Sequence, residues 1–174
     1  ADPQKFSVIA NGFDAEDFVA KVMPSDPDVF VIAFAGVFYG PITPRPFLQA
    51  LAALLKEQPG IRGRLRVRLA GQLDTQQQAI FWEDLRTLSL EDVVEHLGYL
   101  PHADSIALLR SAQLLLLPVF VSDNSAQVLP GKAFEYLAAR KPILTLAGPG
   151  DTTDLMREAG AGEVVHPSDT EAIK

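Results

Sequence analysis

The sequence predicts an α/β fold, a mainly parallel sheet of about six strands with helices on both faces. Three observations carry this expectation. Short apolar runs alternate with amphipathic stretches along the whole chain. The run 29–35, VFVIAFA, is apolar throughout, as a central strand covered on both faces requires. With 174 residues, 48% of them hydrophobic, the chain can bury a real core as one domain.

The elements follow in order. A strand-like run at 7–10 comes first, then the strand at 29–35 and a loop over 36–43. A helix starts near Pro44, with Phe47, Leu48, Leu51, Leu54 and Leu55 as its buried stripe, and Pro59-Gly60 stops it. Residues 65–71 form the next strand, and 75–88 a helix with Phe81, Leu85 and Leu88 inward. Strand 93–97, helix 103–110 and strand 114–118 come next. The following helix has Pro130 near its first turn, where a missing N–H does no harm. Phe134, Leu137 and Ala138, at i, i+3 and i+4, are its expected core face. Strand 143–146, a helix near 153–159, a short strand 163–166 and a helix start at 168–171 complete the series.

The bulk numbers narrow the function. Net charge is −7, with 22 acidic against 15 basic side chains. That argues against nucleic acid as the main partner while allowing a local basic pocket. The chain has no cysteine, so disulfides, thiolate metal sites and a Cys nucleophile are excluded; a reducing, cytoplasmic setting is expected. No apolar run approaches the ~18–20 residues that span a bilayer, and nothing near Ala1 resembles a signal peptide. No repeat, low-complexity tract or linker divides the chain. Residues 1–174 therefore read as a single domain, with 1–14 a linker-like lead-in strand, and the abrupt ends suggest an excised piece.

In an open parallel sheet, ligands bind outside the carboxyl ends of the strands. The loops after Ala35, Ala70 and Leu97 begin with Gly36, Gly71 and Gly98. Each glycine alone reads as strand-end punctuation; three on one rim point to a crevice. The stretch 129–142, LPGKAFEYLAARKP, places Lys132 and Glu135 three apart on one helix face. A helix N-terminus with a lysine suits a phosphate, and a carboxylate can accept two hydrogen bonds from a diol. The same pair also reads as a surface salt bridge on an ordinary amphipathic helix.

Other signals are weaker. Arg62, Arg64, Arg66 and Arg68 alternate with mostly apolar residues and suggest a strand with one basic edge. Net acidity and the lack of interleaved aromatics favour snorkelling stems, their heads paired with carboxylates such as Glu95, over nucleic-acid binding. His96, His102 and His166 share no metal-ligand spacing; His102 falls at the rim as a helix-start residue, and Trp82 packs or half-packs on its helix. The Gly36 loop lacks G-x-G-x-x-G, so a dinucleotide has little support, and no local signature assembles a Ser-His-Asp triad.

The order of these features resembles the donor-binding half of GT-B glycosyltransferases, especially the large retaining group called family 4. The resemblance rests on P-x-K-x-x-E-Y-L-A followed by K-P-I-L, on Asn11-Gly12-Phe13-Asp14, on Gly36-Val-Phe-Tyr-Gly40, on strand 66–71, on 96–101 and on 111–118. It covers residues 8–170. The second Glu of the family's Glu-x7-Glu pattern falls on Glu135, while Gln127 stands where the first would be.

The resemblance implies a Rossmann-like, doubly wound fold. It also implies transfer of a sugar from a nucleoside diphosphate sugar to a polysaccharide or glycolipid acceptor. Lys132 and the N–H groups around Leu129 and Gly131 would meet the diphosphate, Glu135 the ribose hydroxyls, and Gln127 the donor sugar. The loop of Gly36, Val37, Phe38 and Tyr39 would face the diphosphate, and Gly71, Tyr99 and Leu100 would frame the base. Pro41-Ile42 replaces the glycine and arginine of relatives with a similar loop, leaving phosphate binding to backbone N–H groups aided by Arg45. Asp26-Pro-Asp28 matches the D-x-D of metal-dependent glycosyltransferases, but it precedes a strand and reads as a loop. No cofactor and no metal are expected. The acceptor site belongs to a separate N-terminal domain, so this chain alone is expected to bind rather than catalyse. The full-length protein is compatible with peripheral association at the inner face of a membrane. The alternative is a non-catalytic Rossmann-like binding or assembly module, which Gln127 and the altered Gly36 loop favour.

Overall fold

A computed structural model describes residues 11–19, 22, 26–122 and 126–174. Its strands are β1 (Phe30–Ala35), β2 (Leu65–Ala70), β3 (Val94–Gly98), β4 (Leu114–Pro118), β5 (Ile143–Leu146) and β6 (Gly162–Val165). They pair in the order β3-β2-β1-β4-β5-β6, and every pairing is parallel. The chain thus winds outward from β1 to β3, crosses back, and winds outward the other way from β4. The reversal lies between β1 and β4, and there an open α/β sheet has its natural crevice.

Among the described residues the α-helices are α1 (Arg45–Glu57), α2 (Thr75–Thr87), α3 (His102–Ser111), α4 (Lys132–Ala139) and α5 (Asp151–Glu158), which lie between strands, and α6 (Thr170–Ile173), which follows β6. Alternation along β1 shows why both sheet faces are covered. Ile32 and Phe34 join a core with Phe47, Leu48 and Leu51 of α1, Phe81 and Leu85 of α2, and Ile173 of α6. Val31 and Ala33 join the opposite core, with Ile106 and Leu109 of α3, Ala133 and Tyr136 of α4, and Met156 of α5. Each fully buried Leu or Phe contributes ~1.5–3 kcal/mol, so both apolar faces must be covered. Among the described residues no helix is long and apolar enough to cross a membrane.

Several expectations are corrected. On α4 the buried side chains are Ala133, Tyr136 and Ala139, whereas Phe134, Leu137 and Ala138 are half-buried. The small Ala133 and Ala139 let the helix approach the sheet closely, and Tyr136 turns inward to meet β1. Pro130 precedes the helix, its carbonyl accepting the Ala133 N–H at 3.0 Å. Arg62 and Arg64 lie in a 3-10 helix, Pro59–Arg64, so the alternating arginines do not form one strand edge. Arg68 pairs with Glu95 across β2 and β3 at 3.0 Å, Arg62 pairs with Asp92, and Arg66 donates to the Leu65 carbonyl. A further 3-10 helix, Glu16–Val19, was not foreseen. The strand expected at 7–10 lies outside the described residues.

Candidate functional site

At the carboxyl rim of the sheet, two loops meet backbone to backbone. The Gly36 N–H donates to the Ala70 carbonyl at 2.9 Å, and the Gly71 N–H donates to the Gly98 carbonyl at 2.6 Å. Gly71 has φ 120°, and a Cβ there would collide with the Gly36 carbonyl oxygen. Only glycine fits that approach. A little further on, Phe38 and Leu73 form an isolated parallel bridge.

Lys132 comes down onto this rim from α4, across the switch point. A methyl group built on Gly36 would collide with the Lys132 ammonium. The same ammonium sits 4.5 Å from the centroid of the Phe34 ring. Burial lowers the lysine's pKa to about 8, against the opposing pull of Glu135. Among the described residues no ion pair or hydrogen bond holds this ammonium, so the salt bridge that would make Lys132 and Glu135 purely structural is not formed. Nor does any described acceptor meet the N–H groups of Gly131 and Lys132 at the start of α4.

The loop after β1 is pinned from below. The Asp74 carboxylate, which caps α2, accepts the N–H of Gln77 at 2.7 Å and of Gly40 at 2.9 Å. Those two bonds lower its pKa. The Gln77 side-chain amide donates to the Gly40 carbonyl at 2.7 Å. Sequence reasoning missed both residues, although an Asp three places before a Gln at a helix start is a capping signal. The pinned loop turns Val37 and Tyr39 outward, 43% and 55% exposed, while Phe38 turns into the core and stacks on Phe34 at 4.2 Å. The Phe38 N–H is spent on the Gln72 carbonyl, so its place in the loop is structural. Val37 and Tyr39 keep N–H groups that no described acceptor meets. Arg45 does not aid this loop, because its guanidinium is held by Asp84 of α2 at 2.8 Å and 3.2 Å.

The remaining expected residues are more dispersed. The His102 Nε2 lies 2.8 Å from the Asp17 carboxylate, which raises the histidine's pKa, with a smaller contribution from the charge of Glu135. Glu135, half-buried, therefore shares its surroundings with the start of α3. Tyr99, just before that helix, is 73% exposed, and Leu100 packs partly into the core beneath α3 and α4. Leu129 is half-buried ahead of α4. Gln127 is exposed, in a loop fixed by the Asp151 N–H on the Ala126 carbonyl and the Thr152 hydroxyl on the Val128 carbonyl. No hydrogen bond ties it to Lys132 or Glu135. Asp26 and Asp28 form a turn before β1, at the far end of the sheet, the Asp28 N–H donating to the Asp26 carboxylate at 2.9 Å. Among the described residues no three His, Cys, Asp or Glu side chains converge as a metal site.

Gly36 and Lys132, with the N–H groups of α4 and of the β1 loop that no described acceptor meets, therefore gather a cation and free donors at the switch point, the Glu135 charge acting on the ammonium without a salt bridge. A diphosphate bound there would gain charge-assisted hydrogen bonds and hold the lysine in its protonated state.

Comparisons with known proteins agree with this architecture. The D-inositol 3-phosphate glycosyltransferase of Kineococcus radiotolerans is 31% identical over an alignment that covers 93% of this chain and 39% of that protein. This chain thus spans about two-fifths of its curated relative. WaaG, a glycosyltransferase involved in lipopolysaccharide biosynthesis, superposes with a TM-score of 0.76 at 18% identity, over 99% of this chain and 46% of WaaG. Anabaena HepE in complex with UDP gives 0.65 at 16% identity, over 96% of this chain and 46% of HepE. At such identities the superpositions speak for the fold, a Rossmann-like sheet matching GT-B glycosyltransferases. The glycosyl transferases group 1 family model matches residues 29–174, all six strands of the sheet, and the chain belongs to that family.

Proposed function

We propose that this chain is the C-terminal, donor-binding domain of a retaining GT-B glycosyltransferase of the family 4 type. The observation that carries this reading is the Lys132 ammonium, buried against Gly36 at the switch point and held in no ion pair among the described residues. HepE, of the same fold, was solved with UDP, in keeping with a nucleoside diphosphate in such a crevice.

In this reading Lys132 and the N–H groups around Leu129 and Gly131 stabilise the departing diphosphate, where charge builds in the transition state. The Val37 and Tyr39 N–H groups of the Gly36 loop join them. Glu135 accepts from the ribose hydroxyls, Gly71, Tyr99 and Leu100 frame the base, and Gln127 hydrogen-bonds the donor sugar without supplying charge. No metal or cofactor is required, since the start of α4 and Lys132 neutralise the diphosphate. The acceptor is a polysaccharide or glycolipid, held by a separate N-terminal domain, so residues 1–174 alone bind the donor without turnover. The setting is cytoplasmic, with peripheral attachment of the full protein to the inner face of a membrane, and nucleic acid is not a partner.

The test is a thermal-shift panel of UDP, GDP, dTDP and ADP with their common sugars. A ligand at a hundredfold excess over its Kd adds ~2.7 kcal/mol to stability, which is readily seen. A cleanly folded protein that responds to none of them overturns the reading. It would favour instead a non-catalytic binding or assembly module, for which the engagement of Arg45 by Asp84 and the missing charge at Gln127 already speak.

A further inference from the structure

We propose that the buried hydroxyl of Tyr136 is a positioning residue for Lys132: by accepting the Ala35 N–H, it fixes the Gly36 turn beneath the ammonium. The geometry of the proposal stands on the fold, and its ligand rests on the donor-site reading above. β1 pairs with β4 only at Ile32 and Ala33. Ala35 lies beyond that pairing, and its N–H points to the β4 side, because the neighbouring Gly36 N–H goes to Ala70 of β2. Left alone, the Ala35 N–H would be a part-buried donor without a partner. Tyr136, fully buried, reaches across from α4 and takes it at 3.0 Å, over 101 residues of sequence.

Lys132 and Tyr136 are four apart on α4, so they project one above the other from the same side of the helix. One helical turn thus grips the last residue of β1 and the glycine after it, the hydroxyl on Ala35 and the ammonium against Gly36. A phenylalanine would fill the same space. Only a hydroxyl satisfies the strand end and so sets the height of the glycine turn.

The test is Tyr136→Phe, read in two ways. In the ligand-free protein the Lys132 side chain is titrated by NMR. With UDP, GDP, dTDP and ADP as probes, affinity is measured by calorimetry well below the melting range, beside the parent nucleosides. We expect the Lys132 titration to rise towards that of an open lysine as water enters. Diphosphate affinity should fall about tenfold, the scale of one lost buried hydrogen bond, with nucleoside affinity kept. An unmoved titration overturns the proposal, whether or not affinity changes and however stable the variant is. A moved titration with unchanged diphosphate affinity keeps the positioning role and overturns the donor reading; unchanged affinity in Lys132→Ala would overturn that reading independently. Should Tyr136→Phe fail to fold, the wild type decides. Exchange of the Ala35 amide must then be as slow as that of interior β1 amides, and open-loop exchange overturns the proposal.

Discussion

The ammonium of Lys132 lies 4.5 Å from the centre of the Phe34 ring and directly against Gly36, though 96 or more residues separate it from either. An α4 lysine thus closes over the end of β1 at the point where the sheet reverses its winding. The ring and the turn shed water from the ammonium and offer no anion in return, and this lowers its pKa to about 8.

The first prediction concerns pH and binding. A bound diphosphate favours the protonated lysine, so its affinity should be level below about pH 8 and fall as pH rises through that value. Calorimetry from pH 6.5 to 9.5 checks this. A parallel decline for the uncharged nucleoside would assign the effect elsewhere.

The second concerns stability without ligand. The folded protein holds Lys132 near pKa 8 and the unfolded chain near 10.5, so between those values the unfolded state binds more protons. Stability should therefore rise with pH across that window, by up to ~3 kcal/mol from this group. Below pH 8 the cost of the buried charge is fully present, and Lys132→Met should stabilise the empty protein there while weakening diphosphate binding. Denaturant midpoints of both proteins at pH 7 and 10 measure it.

The strands were legible in the sequence because both sheet faces are covered, which leaves runs such as 29–35 apolar without interruption. The face of α4 was not. Its sequence KAFEYLAA offers one stripe through Phe134, Leu137 and Ala138 and another through Ala133, Tyr136 and Ala139. The buried stripe is the one whose Tyr136 hydroxyl takes the Ala35 N–H, a partner no local pattern reveals. Lys132 and Glu135 were legible as a pair on one face, but the approach of Lys132 to Gly36 depends on where β1 and β4 part. The spending of Arg45 on Asp84 was hidden for the same reason, since it depends on α1 lying beside α2.

The third prediction concerns the end of α4. Arg140 adopts φ 54° and ψ 42°, the left-handed conformation in which a Cβ is disfavoured and glycine is the usual choice. Arg140→Gly should raise stability by about 1 kcal/mol, the cost of a left-handed non-glycine residue less glycine's extra chain entropy. A loss of stability in urea unfolding would mean that the exposed arginine side chain makes a contact worth more than the strain.

The fourth concerns the arginines. Arg45 is held by Asp84 and Arg68 by Glu95. Arg45→Gln and Arg68→Gln should each leave nucleoside diphosphate affinity unchanged. A large loss in either, measured by calorimetry, would place that guanidinium in the site and require its present carboxylate partner to release it.

The last prediction separates the two halves of the proposed site. Lys132 and Glu135 lie one turn apart without forming an ion pair, so removing one breaks no salt bridge of the other. Lys132→Ala should weaken diphosphates far more than nucleosides, through a charge-assisted contact worth ~1.5–3 kcal/mol. Glu135→Gln should weaken ribonucleotides more than their 2′-deoxy analogues, because an amide presents one oxygen to the diol where the carboxylate presents two. Glu135 also raises the pKa of its lysine neighbour, so the same substitution should move the pH midpoint of binding slightly lower. Four affinities per variant, with each variant's denaturant midpoint beside them, decide the matter. If neither substitution distinguishes phosphate from nucleoside or ribose from deoxyribose, the recess at the switch point is not a donor site, whatever its charge.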